Sequence, residues 1–394
     1  MTGLPPLVEP GAELSRAEIE RYSRQLVLPE IGIVGQRRLK NARVLVIGAG
    51  GLGAPVLLYL AAAGIGTLGI VDDDVVELSN LQRQVIHGTG DVGRLKTASA
   101  RDAVADINPR VRVQLHPVRL DATNALELFD RYDLIIDGAD NFATRYLVND
   151  VAALLGKPYV WGSILRFHGQ VSVFWNTHGP TYRDLYPEAP PEGSVPNCAE
   201  GGVFGMLCAA VGSLMVTECV KLITGAGRTL LGRLQIFDAL DSSWREVSII
   251  RDPDSEPVTE LADYESLCGI PDATLPPMTS PTPLGAVSVH ELQERLEARA
   301  AGMLDFELID VREPGEFSLV RIPGSSLVAK ADIESGRAMD TLPRDKDIVL
   351  YCKTGARSAH VFKDLTSAGF TRLGHLTGGI LAWVHEIEPH KPVY

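Results

Sequence analysis

Residues 44–71 constrain this chain more than any other stretch: they carry no charge and are numerous enough to span a bilayer, yet glycines and Pro55 break them up. The breaks leave an apolar strand over 44–47, the loop Gly48-Ala49-Gly50-Gly51-Leu52-Gly53, a helix, and a second strand ending in Asp72-Asp73-Asp74. That is the start of a nucleotide-binding fold rather than a membrane span. Glycines 48, 50 and 53 let the backbone turn tightly against a phosphate, while the following helix offers unpaired N–H groups and the positive end of its dipole. Asp72 stands nineteen residues after Gly53, where a carboxylate grips a ribose hydroxyl. The glycine pattern alone serves a nicotinamide-dependent dehydrogenase as well as an ATP-using enzyme.

Strand and helix then alternate: helix 54–63, strand 67–71, helix 94–106, strand 111–116, helix 123–131, strand 133–136, helix 143–155 and strand 158–161. Such alternation predicts a mostly parallel α/β sheet with helices on both faces. Asn80, Arg83, Gln84 and Lys96 follow the acidic strand end, and Asp140-Asn141 and Arg145 follow the strand at 133–136. A dehydrogenase has no need of cations gathered there, whereas a triphosphate must be neutralised. Asp140 can also be read simply as a helix N-cap. Residues 14–40 read as helical, with Arg21 and Arg24 three apart on what could be a solvated face.

Taken together, Arg24, GAGGLG at 48–53, the Asp72-Asp73-Asp74 run, SNLQRQ at 79–84, Lys96 and DGADNFATR at 137–145 resemble the ubiquitin-activating-type adenylyltransferases of the MoeB/ThiF group over about the first 270 residues. The resemblance implies that ATP and Mg²⁺ activate the C-terminal glycine of a ubiquitin-like sulfur carrier, MoaD- or ThiS-like and ending in Gly-Gly. It implies a Rossmann-like domain in which Gly48, Gly50, Gly51, Gly53, Asp72, Asp74, Asn80, Gln84 and Asn141 bind ATP. Arg83 and Lys96 would hold its phosphates, and Asp140 the metal-bound pyrophosphate region. Arg24 would reach the neighbouring subunit's site in a homodimer.

Residues 181–197 read as a loop long enough to cover a water-sensitive adenylate. Cys198 follows it, before an apolar helix. It is either a small buried residue or a thiol activated at a helix N-terminus, and relatives that form covalent carrier links place a Cys at the matching position. Cys208 and Cys219 lie within the apolar run and read as structural. Many family members hold zinc with two Cys-x-x-Cys pairs. Here Thr181-Tyr182-Arg183-Asp184 stands in place of one pair and Cys268 is alone near the other, so no structural zinc is expected.

Residues 271–284, rich in Pro and Thr, read as a linker between an adenylation domain over 1–270 and a second α/β domain over 285–394. The second domain centres on Cys352, delivered by a strand into the loop Lys353-Thr354-Gly355-Ala356-Arg357 at the start of a helix, which favours a thiolate. With Asp310-Val311-Arg312-Glu313, Arg321-Ile322-Pro323-Gly324-Ser325 and Gly378-Gly379, it resembles a rhodanese sulfurtransferase. Cys-dependent phosphatases space Cys and Arg by five residues to fit phosphate; the four here suit a persulfide sulfur. Arg321 departs from the family, which more often has His there. The whole is similar to the fused MoeZ/MoeBR type. That resemblance implies that Cys352 takes sulfur from thiosulfate or a cysteine desulfurase persulfide and converts the adenylated carrier to a thiocarboxylate.

Composition narrows the setting. A net charge of −13 argues against nucleic-acid binding and for steering of a basic protein partner. Five scattered cysteines argue against a disulfide framework, and no basic, apolar leader opens the chain, so a cytoplasmic enzyme without a membrane span is expected. Two other readings stand beside this one: an NAD(P)-dependent oxidoreductase with a regulatory rhodanese module, and a non-catalytic scaffold for a ubiquitin-like protein.

Overall fold

The computed structural model describes residues 4–190, 201–264 and 284–393. Chain contacts divide it into two compact units, Met1–Pro271 and Asp272–Tyr394. Cys198 and Cys268 lie outside the described residues, as does all of the 271–284 segment except Leu284.

The first unit opens with helices α1 (Arg16–Leu26) and α2 (Gly32–Asn41), the first started by a Ser15–Glu18 capping box. Its sheet runs β3 (Arg112–His116), β2 (Thr67–Val71), β1 (Arg43–Ile47), β4 (Leu134–Asp137), β5 (Tyr159–Leu165), β6 (His168–Phe174), β7 (Arg233–Asp238) and β8 (Ser243–Ser248). The first five are parallel, the doubly wound arrangement anticipated from the alternating pattern. The last three pair antiparallel. That extension was not foreseen, because β5 and β6 meet through a tight turn without the usual Gly signal, at Arg166 with φ of 54°.

Helices α3 (Gly53–Ala63), α4 (Lys96–Ile107), α5 (Ala125–Asp130) and α6 (Phe142–Leu154) connect the parallel strands. β1 buries four of its five residues, and Gly53 packs so closely on the Gly48 carbonyl that any Cβ there would collide with it. Within 181–197 the structure adds a short helix, α7 (Tyr182–Leu185), where a plain loop was expected. Helix α8 (Gly205–Thr224) is long and apolar enough to cross a membrane. It is instead a core helix: Leu207, Val211, Met215, Cys219 and Leu222, spaced three or four apart, are all buried, and it packs on α3, β5 and β6.

The second unit is a five-stranded parallel sheet in the order β11 (Ser326–Leu327), β10 (Phe306–Asp310), β12 (Asp347–Tyr351), β13 (Leu373–Leu376) and β9 (Gly285–Val287). Helices α9 (Val289–Ala300), α10 (Pro314–Leu319), α11 (Lys330–Glu334), α12 (Ala356–Ser367) and α13 (Gly379–Glu386) complete it. Its two hydrophobic clusters lie on opposite faces of the sheet, with alternate β12 residues Val349 and Tyr351 in one, and Ile348, Leu350 and the following Cys352 in the other. The short strands β9, β11 and β13 and helix α10 are too brief to carry a readable period.

Candidate functional site: a nucleotide cleft and a cysteine loop

A cleft of about 390 Å³ opens at the carboxyl ends of β1, β2 and β4, where the strand order reverses. Gly48, Gly50, Gly51, Asp72, Asp74, Arg83, Gln84, Lys96, Asp140 and Asn141 all line it. Gly53 and Asn80 are not lining residues: Gly53 starts α3, and buried Asn80 accepts the Glu77 N–H at 3.1 Å. Asp73, Arg119 and Arg145 also line the cleft. Arg119 carried no motif, since it arrives from the segment after β3. Arg24 is exposed on the last turn of α1 and is not a lining residue of its own chain's cleft.

Asp72 ties the second strand to the glycine loop, accepting the Ala49 N–H at 2.8 Å and the Asp74 N–H at 2.9 Å. Burial pushes its carboxyl above the ordinary range, against the opposing pull of Lys96. Lys96, the first residue of α4, is nearly buried and pairs with Asp74 at 2.6 Å. Arg83 runs its methylenes along Gly51 and donates to the Ser79 carbonyl at 3.0 Å. Gln84 is buried, and its Oε1 has no hydrogen-bond partner. An acceptor so placed beside a polar cleft is suited to a ligand donor.

At the end of β4, Asp137 accepts the Ala139 N–H at 2.9 Å, while complete burial pushes its carboxyl up to about 6. Asp140 projects exposed from the next turn, and the N-cap of α6 is Asn141, which accepts the Thr144 N–H at 2.9 Å. The capping role weighed for Asp140 therefore belongs to its neighbour. Arg145 is buried between the Phe142 and Trp161 rings and donates to the Ala139 carbonyl at 3.2 Å. Oxygens of Asp72, Asp73 and Asp74 come within 4.8 Å of one another, a set of hard donors that fits Mg²⁺, and Asp140 lines the same cleft outside that set.

The positions considered for zinc offer a different chemistry. Thr181 and Asp184 cap α7 together, with the Thr181 N–H 2.6 Å and hydroxyl 3.0 Å from Asp184, whose other oxygen accepts the Asp252 N–H at 2.9 Å. A hydroxyl and an engaged carboxylate do not fit the thiolate half of a tetrahedral zinc site.

In the second unit, β12 delivers Cys352 into a loop whose Gly355 (φ 102°) starts α12. The buried Sγ accepts the Gly355 N–H at 3.1 Å and the Ser358 hydroxyl at 3.7 Å. Arg357 closes the loop and makes a two-pronged pair with Glu316 of α10, at 2.8 and 2.7 Å. Ile380 and Leu381 of α13 donate to the Cys352 and Lys353 carbonyls at 2.8 and 3.1 Å. A Cβ on Gly379 would lie 2.5 Å from both oxygens, so only glycine fits. Behind the loop, Asp310 and Arg312 form a fully buried ion pair under the Tyr351 ring. Arg321, the departure from the family, lies exposed over the Phe317 ring, 5.0 Å from its centroid. Cys208 and Cys219 are buried in α8, as expected of structural thiols.

Comparison with known proteins finds a family for each unit. Residues 22–258 match the ThiF family and residues 288–386 the rhodanese-like domain. The chain is 56% identical over 399 residues to a probable adenylyltransferase/sulfurtransferase MoeZ of Mycobacterium tuberculosis, covering 100% of both. It is 51% identical to a sulfur carrier protein adenylyltransferase of Thermus thermophilus, over 65% of this chain and 98% of that one. It is 37% identical to the adenylyltransferase and sulfurtransferase MOCS3 of Culex quinquefasciatus, over 97% and 91%. Among solved structures, the microcin C7 biosynthetic enzyme MccB in complex with N-formylated MccA matches with a TM-score of 0.56 at 22% identity, covering 60% of this chain and 74% of that one, a likeness of fold alone. The nicotinamide alternative finds no support among these relatives. The chain thus belongs to the ThiF family, as an adenylyltransferase/sulfurtransferase that carries a rhodanese-like domain after its nucleotide-binding domain.

Proposed function

We propose that the enzyme adenylates the C-terminal glycine of a ubiquitin-like sulfur carrier and then supplies sulfur from Cys352 to make the thiocarboxylate. The observation that carries this is the convergence of a glycine loop, a ribose-height carboxylate and the cations Arg83 and Lys96 on one cleft. The carrier carboxylate attacks the α-phosphorus, an O–P bond forms, and pyrophosphate leaves with the electron pair. Arg83 and Lys96 meet the charge moving onto pyrophosphate, with Lys96 exchanging Asp74 for the ligand. Asp140 would hold Mg²⁺, which would supply further charge neutralisation there. Arg24, exposed on α1, serves the partner subunit's cleft in a homodimer.

The Cys352 thiolate attacks the sulfane sulfur of thiosulfate, whose S–S bond breaks to release sulfite, or takes sulfur from a protein persulfide. The terminal sulfur of the Cys352 persulfide then attacks the acyl-adenylate, and AMP leaves. A thiolate then attacks Cys352 Sγ, forming a disulfide with it as the persulfide S–S bond breaks and the thiocarboxylate leaves; Cys198 is the candidate within this chain, and an external thiol reduces the disulfide for the next cycle. With its free thiols the enzyme suits a reducing cytoplasm. The adenylation domain holds together without zinc, through the Thr181–Asp184 cap and the Arg183–Asp150 pair at 2.7 Å. One zinc per chain surviving a chelator wash would overturn that last statement. The main reading is tested by carrier-dependent ATP–pyrophosphate exchange beside nicotinamide titration: exchange without nicotinamide binding is expected, and tight NAD binding without exchange would sink it.

A further inference from the structure

His87 belongs to none of the motifs, yet it touches the centre of the nucleotide loop. It is 6% exposed, and its Nε2 lies 3.0 Å from the Ala49 carbonyl while Nδ1 lies 2.8 Å from the Ser99 hydroxyl. A carbonyl can only accept, so the proton sits on Nε2, and in the neutral ring Nδ1 accepts from Ser99. Ala49 gives its own N–H to Asp72, so two successive peptide planes of the loop are pinned, one by Asp72 and the next by His87. A trans peptide points its N–H opposite to its C=O. Holding the Ala49 carbonyl toward His87 therefore turns the Gly50 N–H away from it, and Gly50 lines the cleft. Ser99 lies three residues after Lys96 on the first turn of α4, on the same helix face. One imidazole thus links the loop that meets the phosphates to the helix that presents Lys96.

We propose that His87 is a positioning residue for ATP: through the Ala49 carbonyl it aims the Gly50 N–H at a phosphate oxygen, and through Ser99 it sets the spacing between that N–H and Lys96. This rests on the adenylation reading. The test is ATP–pyrophosphate exchange with a Gly-Gly-terminated carrier, in wild-type, His87→Ala, His87→Gln and Ser99→Ala full-length protein, with thiosulfate–cyanide sulfur transfer as a control for folding of the rest of the chain. His87→Ala should raise KM for ATP about tenfold, the size of one lost hydrogen bond, with a smaller change in kcat. His87→Gln, whose amide can still donate to Ala49, should recover most of that loss, and Ser99→Ala should fall between. ¹⁵N NMR of the imidazole in the wild type should show the Nε2–H tautomer. Unchanged KM in His87→Ala, a Gln variant no better than Ala, or the Nδ1–H tautomer would each overturn the proposal. Should His87→Ala fail to fold, the Gln variant and the NMR tautomer decide it. Absence of exchange in the wild type would instead overturn the adenylation reading.

Discussion

The nucleotide cleft and the Cys352 loop use one backbone device at very different scales. Each sits at the carboxyl end of a parallel strand, and each enters its helix through a glycine of positive φ in the loop, Gly48 at 86° and Gly355 at 102°. The cleft is wide, and its charged groups are partly exposed: Asp73, Asp74 and Asp140 face solvent, and Lys96 waits on Asp74. The cysteine loop is closed, with Sγ held by a backbone N–H and a hydroxyl and with Arg357 locked onto Glu316. A triphosphate brings its own charge and volume, so its site keeps pairs that a ligand can exchange. A single sulfur needs little room, so its cradle doubles as part of the core. Substitutions in the cleft should therefore cost activity, and substitutions around the loop should cost stability as well.

The sharpest way to break this contrast is Asp140→Ala or Arg83→Ala. Each should lower exchange by on the order of 10² to 10³, the effect of removing one preorganised charge, while thiosulfate–cyanide transfer at Cys352 persists. A loss of tenfold or less, about 1.4 kcal/mol, would make these residues peripheral. For the second unit the matching change is Glu316→Gln. It leaves a largely buried guanidinium short of its partner and should destabilise that unit by about 3 kcal/mol, read by calorimetry. Burial works to raise the Glu316 carboxyl, but the Arg357 pair and the Glu313 N–H outweigh it and hold it below the ordinary range. Because the folded value is the lower one, this stabilisation is complete above the ordinary carboxylate range and fades as pH falls through the folded value. The Gln variant should lose that acid-side dependence.

Asp137 should show the opposite sign in the first unit. Its folded value of about 6 lies above the ordinary one, so stability is greatest in acid and declines as pH rises from about 4 toward 7. Asp137→Asn should remove that decline, a gain of about 3 kcal/mol at pH 8 in denaturant titrations. An unchanged pH profile would mean that this carboxyl stays ionised at no cost. Cys198→Ala should have the smallest effect, under about tenfold in thiocarboxylate formation, because an acyl-adenylate is already activated for attack by a persulfide. A Cys198 variant as inactive in sulfur transfer as one at Cys352, with exchange intact, would make a carrier–Cys198 link obligatory.

Much of this was legible in the sequence because the chemistry depends on local spacing. Gly48, Gly50, Gly51, Asp72 and Asp140 follow strand ends that hydrophobic alternation locates, Lys96 opens the next helix, and all of them line one cleft. Less legible were features made by contact between distant segments. Glu316 meets Arg357 across forty-one positions and His87 meets Ala49 across thirty-eight, with no pattern linking them. Of the antiparallel strands, β6 follows a turn at Arg166 that carries no Gly signal, and β8 is exposed throughout and shows no alternation. Asn141 as the α6 cap was a matter of one residue, and boundaries of that kind depend on backbone geometry rather than composition.

The central claim is that one chain runs two separable chemistries, adenylation in the cleft and sulfur transfer at Cys352. Its most direct test is mass spectrometry of a Gly-Gly-terminated carrier incubated with ATP, Mg²⁺ and thiosulfate, with exchange measured in parallel, in wild type and Cys352→Ala. The account predicts oxygen-to-sulfur replacement at the carrier terminus in the wild type, and none in Cys352→Ala, whose exchange stays near normal. Thiocarboxylate formed by Cys352→Ala at the wild-type rate, or exchange lost with the thiol, would contradict it.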